Sequence, residues 1–202
     1  MKLYYSPGAC SLSPHIALRE AGLPFELVKV DLKAKKTAAG ADYLAVNGKG
    51  YVPALELDDG QVLTEGPAIV QYIADRRPEA RLAPPAGTME RYSLQEWLNF
   101  ITAELHKTFG TLFNPAATAD WKQVVVGLIG RRLDWLAPQL SGKDFVLGPQ
   151  FTVADGYLFT VLSWSGHVGI DLAKWPPLAQ YCARIAERPQ VKEARRAEGL
   201  VN

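Results

Sequence analysis

Two regimes of hydrophobic periodicity divide this 202-residue chain. Up to about residue 80, short apolar runs alternate with helix-like stretches; beyond it only the 3.6-residue period of amphipathic helices remains. At the change lies Arg81-Leu82-Ala83-Pro84-Pro85-Ala86-Gly87, whose prolines lack a backbone donor and cannot continue a helix, so residues 81–87 read as a linker. The pattern predicts two domains, residues 1–80 of α/β type and residues 88–202 all-helical.

In the first part, Leu3-Tyr4-Tyr5 reads as a strand, and a loop of small residues leads into a helix near Ser11 to Ala21 that Gly22 can stop. Phe25 to Leu32 reads as a strand, with Val28, Val30 and Leu32 on one side of its pleat, followed by a helix-like stretch from Lys33 to Tyr43. Val52 to Leu57, the turn Asp58-Asp59-Gly60-Gln61 and Val62 to Thr64 form a hairpin, and a helix runs from Glu65 to about Asp75. The order βαβαββα is the thioredoxin-like one, with right-handed β-α units followed by an antiparallel hairpin. The second part offers helices near Met89 to Phe113, Trp121 to Leu140, Val153 to Ser165 and Pro177 to Arg188. Thr152 and Asp155, at the start of the third, resemble a capping box with Asp in place of Glu and read as a folding signal.

Composition excludes several function classes. With 48% hydrophobic and 21% charged residues the chain is neither disordered nor fibrous. A net charge of +1 supplies no field to gather nucleic acid or an anionic membrane. The strongest apolar run, Val124 to Ile129, is broken by Gly127 and far too short for a bilayer. Pro7 and Gly8 come before any apolar signal-peptide core, and two isolated cysteines build no disulfide framework, so a cytoplasmic protein with reduced thiols is expected. Three scattered histidines without H-x-x-x-H spacing leave no dedicated metal site, and Gly48-Lys49-Gly50 lacks the spacing of a phosphate loop.

Cys10 is the leading candidate for chemistry. It stands just before a predicted helix, where unpaired N–H groups and the positive dipole end favour a thiolate. Cys182 falls on a helical apolar stripe with Leu178, Tyr181 and Ile185 and reads as structural. No second cysteine makes a C-x-x-C pair with Cys10, which weakens a dithiol reductase but permits a mixed disulfide with a small thiol. Pro53 after Val52 removes a ladder donor at a strand start, leaving backbone groups for an extended, peptide-like ligand. In Thr64-Glu65-Gly66-Pro67 the helix N–H groups suit a carboxylate and Glu65 suits an ammonium, the two ends of an α-amino acid. Asn99, Ala103, His106 and Lys107 share a face of a long helix, where a histidine and a lysine can stabilise a nearby anion. His15 and His167 read as ordinary surface histidines, and Lys33 to Lys36 as a solvated face from which one lysine could meet a carboxylate. Phe109, Phe113, Tyr157 and Trp164 are core candidates that could also line an apolar pocket near His106.

Taken together these segments resemble the glutathione transferase family, and most of all its bacterial beta class. The resemblance spans essentially the whole chain and is carried by Lys2 through His15, Val52-Pro53-Ala54-Leu55, Leu63 through Ile69, Tyr72 through Asp75, Glu104-Leu105-His106-Lys107 and Phe151 through Asp155. It implies a homodimeric transferase in detoxification or aromatic catabolism, joining the thiol of reduced glutathione to small hydrophobic electrophiles without a metal. It implies that Ala9 and Cys10 lie beside the glutathione sulfur, with Cys10, Ser11, His106 and more weakly Tyr5 as hydrogen-bond donors to it. By the same resemblance Val52, before a proline that is cis in the family, pairs with the cysteinyl part, Glu65 and Gly66 hold the γ-glutamyl end, and Lys35 the glycyl end. Asn99, His106 and Lys107 reach in from the helical domain, and Ala103 and Glu104 approach from a neighbouring subunit. Gly66 and Ala103 depart from the Ser and Thr common in relatives. Three other functions compete: a thiol-disulfide oxidoreductase using Cys10 itself, a glutathione-dependent reductive dehalogenase or isomerase, and a non-catalytic carrier of hydrophobic ligands.

Overall fold

The computed structural model describes residues 1–201. They fall into two compact units: Met1–Ala83 together with the described residues from Arg188 on, and Pro84–Glu187. The last segment therefore leaves the helical unit in which the periodicity had placed it and joins the α/β unit, because its apolar residues Val191 and Ala194 are buried there on a helix that packs against the first helix of the chain.

In the first unit the strands are β1 (Lys2–Tyr5), β2 (Glu26–Asp31), β3 (Lys36–Thr37), β4 (Ala54–Glu56) and β5 (Val62–Thr64). They form one sheet in the order β3-β2-β1-β4-β5. β1 runs parallel to β2, with Leu3 opposite Leu27, and antiparallel to β4, with Leu3 opposite Leu55. Helices α1 (Leu12–Glu20) and α2 (Gly66–Arg76) pack together, and α8 (Pro189–Ala197) packs on α1. Alternation along β1 sends Tyr4 into a core with Val30, Tyr43, Val52 and Ala54, against which Ala9 also rests.

One expected element is absent. Residues 33–43 form no helix; the chain makes the two-residue β3 and a 3-10 turn at Tyr43–Ala45 instead. Asp31 Oδ1 accepts the N–H groups of Lys33 and Ala34, which turns the chain immediately after β2. Lys35 at φ 56° and Gly40 at φ 86° are left-handed and cannot sit in a right-handed helix. The thioredoxin-like order survives with a short antiparallel edge in place of that helix.

The second unit is all-helical: α3 (Met89–Phe100), α4 (Lys107–Leu112), α5 (Ala119–Leu140), α6 (Val153–Leu162) and α7 (Pro176–Ala186). A π-helical segment, Ile101–His106, joins α3 to α4, so the expected single helix is continuous but changes its winding. Every residue of α6 is buried, and α7 presents Leu178, Tyr181 and Ile185 to it. Asp155 takes the Thr152 N–H at 2.8 Å and completes the expected capping box. No helix among the described residues is long and apolar enough to cross a membrane.

Candidate active site

The loop between β1 and α1 carries Cys10. Ser11 closes it, its hydroxyl accepting the Ser6 N–H at 3.1 Å and donating to the Ser6 carbonyl at 3.2 Å. That proton is thereby committed within the loop, and what Ser11 offers the Cys10 sulfur is its backbone N–H. The Cys10 thiol donates to the carbonyl of Val52 at 3.2 Å. Val52 precedes Pro53 across a cis bond. The segment before it is pinned by Tyr43 Oη and Asn47 Nδ2, which both donate to the Tyr51 carbonyl, at 3.0 and 2.8 Å.

The expected Cys10 thiolate is not what this environment favours. Burial pushes the thiol up to about 12, and the negative charge of Glu65 adds to that; the N–H groups of Cys10 and Ser11 pull the other way and are outweighed. Cys10 is partly exposed as a residue, yet the surroundings of its sulfur are those of a neutral donor. Tyr5 is also held neutral, by burial first and then by the charge of Glu198. Its ring stands 6.4 Å from that of His15, on the side of β1 opposite Tyr4.

Glu65 leads into α2 with φ 71°, and its carboxylate forms an ion pair with Lys49 and receives Tyr51 Oη at 3.4 Å. The sequence carried no signal for Lys49, which also donates to Thr64 Oγ1 at 2.9 Å. Gly66 begins α2 in open space: a Cβ there would meet no heavy atom within 4 Å, so a serine hydroxyl is missing but not excluded. Lys35 donates through Nζ to the Gly50 carbonyl at 2.6 Å, which brings its ammonium to the same loop as Val52.

The candidates of the helical unit are brought together only in part. Asn99, Ala103 and Lys107 are exposed, whereas His106 is half-buried and turned to Tyr157, its Nδ1 lying 2.6 Å from the phenol oxygen. The shared face assumed a uniform 3.6-residue period, and the π-helical segment breaks it at the histidine. Glu104 pairs with Arg132 of α5 at 2.5 Å. The indole of Trp164 lies 5.1 Å from the His106 ring, 5.9 Å from Phe113 and 6.3 Å from Phe109. Phe109 and Tyr157 are fully buried and back this cluster from the core, while Phe113 is 49% exposed and forms its open edge.

His15, expected at the surface, is fully buried; its Nδ1 lies 2.8 Å from Glu198 and its Nε2 accepts from Arg19 at 2.8 Å. Glu198 escaped the sequence reading because its partners lie 183 and 190 residues away. Cys182 is pushed up to about 12 by burial alone, in keeping with a structural thiol.

A thioredoxin-like domain with a lone cysteine against a cis-proline strand, followed by an all-helical unit, defines the architecture of thiol-handling transferases. Residues 8–76 match the model of the glutathione S-transferase N-terminal domain, and residues 100–189 that of the C-terminal domain. A glutathione S-transferase, GstA, of Escherichia coli O157:H7 is 48% identical over 99% of this chain and 100% of its own. Among solved structures, the ternary complex of BphK, a bacterial GST, is 62% identical with a TM-score of 0.97, covering 99% of this chain and 100% of that one. A sphingomonad glutathione S-transferase complexed with glutathione is 51% identical with a TM-score of 0.96, each chain covered in full. A beta class enzyme of Sphingomonas chungbukensis is 52% identical with a TM-score of 0.97, again over both chains entire. The chain belongs to the glutathione S-transferase family and, within it, to the bacterial beta class. It is an enzyme with glutathione as its co-substrate.

Proposed function

We propose that this enzyme conjugates reduced glutathione to small hydrophobic electrophiles, with glutathione's own sulfur as the nucleophile. The observation that carries this is the Cys10 thiol, protonated and donating to Val52. A thiol held neutral is a poor nucleophile; when its single proton turns from the Val52 carbonyl to a neighbouring sulfur, it joins the Ser11 N–H in favouring that sulfur's anion. That anion attacks the electrophilic carbon, the S–C bond forms, and the leaving group departs with its electron pair.

The remaining roles follow from donor and acceptor chemistry. Val52 offers backbone groups to the cysteinyl part beside Pro53. Glu65 takes the γ-glutamyl ammonium and the α2 N-terminus at Gly66 its carboxylate, while the Lys35 ammonium suits the glycyl carboxylate. Within the helical unit, Trp164 and Phe113 give an electrophile an aromatic surface beside His106. The enzyme works as a cytoplasmic homodimer in this reading, supported by exposed Met89 and Tyr92 on α3, which a partner would cover.

Retention on immobilised glutathione, turnover of a chloronitrobenzene, and the Cys10→Ala variant test the proposal together. Conjugation persisting in Cys10→Ala, while thiol-disulfide exchange is lost, is the expected result. Loss of conjugation also in Cys10→Ser, which keeps a donor at that position, would make Cys10 the nucleophile and favour the oxidoreductase. Dye binding without turnover would favour the carrier.

A further inference from the structure

One side chain closes the turn between the 3-10 segment Tyr43–Ala45 and Val52. Asn47, only 4% exposed, receives the Lys49 N–H on Oδ1 at 3.1 Å and donates from Nδ2 to the Tyr51 carbonyl at 2.8 Å. Its own carbonyl accepts the Gly50 N–H at 2.8 Å. An N–H can only donate and a carbonyl only accept, so these two side-chain partners call for an amide; aspartate fails at Tyr51 and leucine at both. Gly50, held between these bonds, is left-handed at φ 70°, and a Cβ there would stand 3.1 Å from Leu44 Cδ2 and 3.4 Å from Lys35 Cε. The Lys35 stem therefore lies along the bare Gly50 backbone, and its ammonium ends on the Gly50 carbonyl at 2.6 Å. Tyr43 joins both sides of this arrangement, its N–H on the Lys35 carbonyl at 2.9 Å and its hydroxyl on the Tyr51 carbonyl at 3.0 Å. Lys35 is thus placed by the turn, and the turn is closed by Asn47.

We propose that Asn47 is a specificity-determining positioning residue: through Gly50 it holds Lys35 where the glycyl carboxylate arrives, so that the enzyme selects glutathione over the shorter thiol γ-glutamylcysteine. The Gly50 carbonyl takes one of the three ammonium N–H groups of Lys35 and leaves two that can point at a carboxylate. Lysine is a point charge on a flexible stem, so where its ammonium stands depends on what the stem rests on. Without the Asn47 amide the Gly50–Tyr51 peptide is free to turn, the stem loses its rest, and the charge spreads over many rotamers. γ-Glutamylcysteine ends one residue short of Lys35 and loses little by this. The inference rests on the conjugation reading, from which it takes the glycyl end at Lys35.

Calorimetric titration of the whole enzyme with reduced glutathione and with γ-glutamylcysteine reads the ratio of their dissociation constants, which a general loosening of the fold would leave unchanged. The wild type is expected to prefer glutathione by about tenfold or more, the worth of a charge-assisted hydrogen bond. Asn47→Ala should shrink that preference about fivefold by weakening glutathione, with the constant for γ-glutamylcysteine kept within about twofold. In a Lys35→Met background, where the preference is already lost, Asn47→Ala should change the ratio no further. Asn47→Asp keeps the size and the Lys49 bond but not the donor to Tyr51; it should shrink the preference likewise, and it decides the matter if the alanine variant does not fold. An undiminished preference, both thiols weakened in parallel, or a further change of ratio in the Lys35→Met background overturns the proposal. A wild type that binds the two thiols equally overturns it too and leaves the conjugation reading intact, whereas a wild type that binds neither sinks that reading and this one with it.

Discussion

His106 Nδ1 and Tyr157 Oη lie 2.6 Å apart, a contact that ties the histidine to α6. The same phenol stands 3.3 Å from Thr102 Oγ1, whose proton goes to the Leu98 carbonyl. The π-helical segment supplies Thr102 and His106, so a buried phenol on α6 sets how the imidazole is presented.

Tyr157→Phe removes that tie at nearly constant volume. A hydrogen bond is worth about 0.5–1.5 kcal/mol net, so kcat for conjugation is expected to fall roughly three- to tenfold. The KM for glutathione should stay within about twofold, since the change reaches the histidine and not the peptide cradle. Steady-state kinetics with a haloaromatic acceptor reads the split, and an unaltered kcat would show that the orientation of His106 does not matter to turnover.

Lys49 occupies, with its ammonium, the carboxylate that Glu65 would give to the γ-glutamyl ammonium. Glutathione must therefore displace Lys49 or move it onto its own carboxylate. The pair is half exposed and worth little, so Lys49→Met should tighten glutathione by only about two- to fivefold. Glu65→Gln should weaken it by about tenfold, a loss that shrinks as salt is raised. Calorimetric titration decides: weaker binding by Lys49→Met would mean that the lysine contacts the tripeptide's carboxylate instead.

Local rules made much of this legible. The Asp-Gly hairpin turn and the Thr152–Asp155 cap each depend on neighbours within a few residues, and each forms where the pattern puts it. The lost helix at 33–43 shows the limit: its lysines and alanines have good helix propensity, but the stretch has no apolar stripe to dock, and the Asp31 turn wins. The acidity of Cys10 is not legible in the sequence, because a helix start is visible there while the dryness around the sulfur, and the charge of Glu65 from 55 positions on, are not. His15 and Glu198 belong to the same class, a pair made by topology alone.

Asp155 is fully buried and accepts four hydrogen bonds, from Val146 N–H, Thr152 N–H, Thr152 Oγ1 and Tyr181 Oη. Asp155→Ala leaves these buried donors without their acceptor and opens a void at the start of an all-buried helix. Removing one member of such a buried polar set costs about 3–5 kcal/mol. At about 2–4 °C per kcal/mol for a chain of this size, the melting temperature should fall by roughly 10 °C. Denaturant titration and a melting curve check it, and a loss below about 1 kcal/mol would show that the carboxylate is dispensable to the fold.

Alkaline pH should unfold this protein through groups that the fold keeps neutral. Cys10 and Cys182 are pushed from 9.0 up to about 12, and burial raises the phenols of Tyr4, Tyr43 and Tyr181 as well. Unfolded thiols lose their protons near pH 9 and unfolded phenols near 10, while the native groups hold theirs. Above pH 9 the native state therefore binds more protons than the unfolded one, and stability falls as pH rises; below it these groups contribute in full. The denaturant midpoint is expected to change little on this account from pH 7 to 9 and then to drop steadily toward pH 11. Each thiol adds at most about 1.4 kcal/mol per pH unit to that slope, so Cys182→Ala should make the fall shallower. A slope that the substitution leaves untouched would mean that Cys182 ionises in the native state as readily as in the unfolded chain.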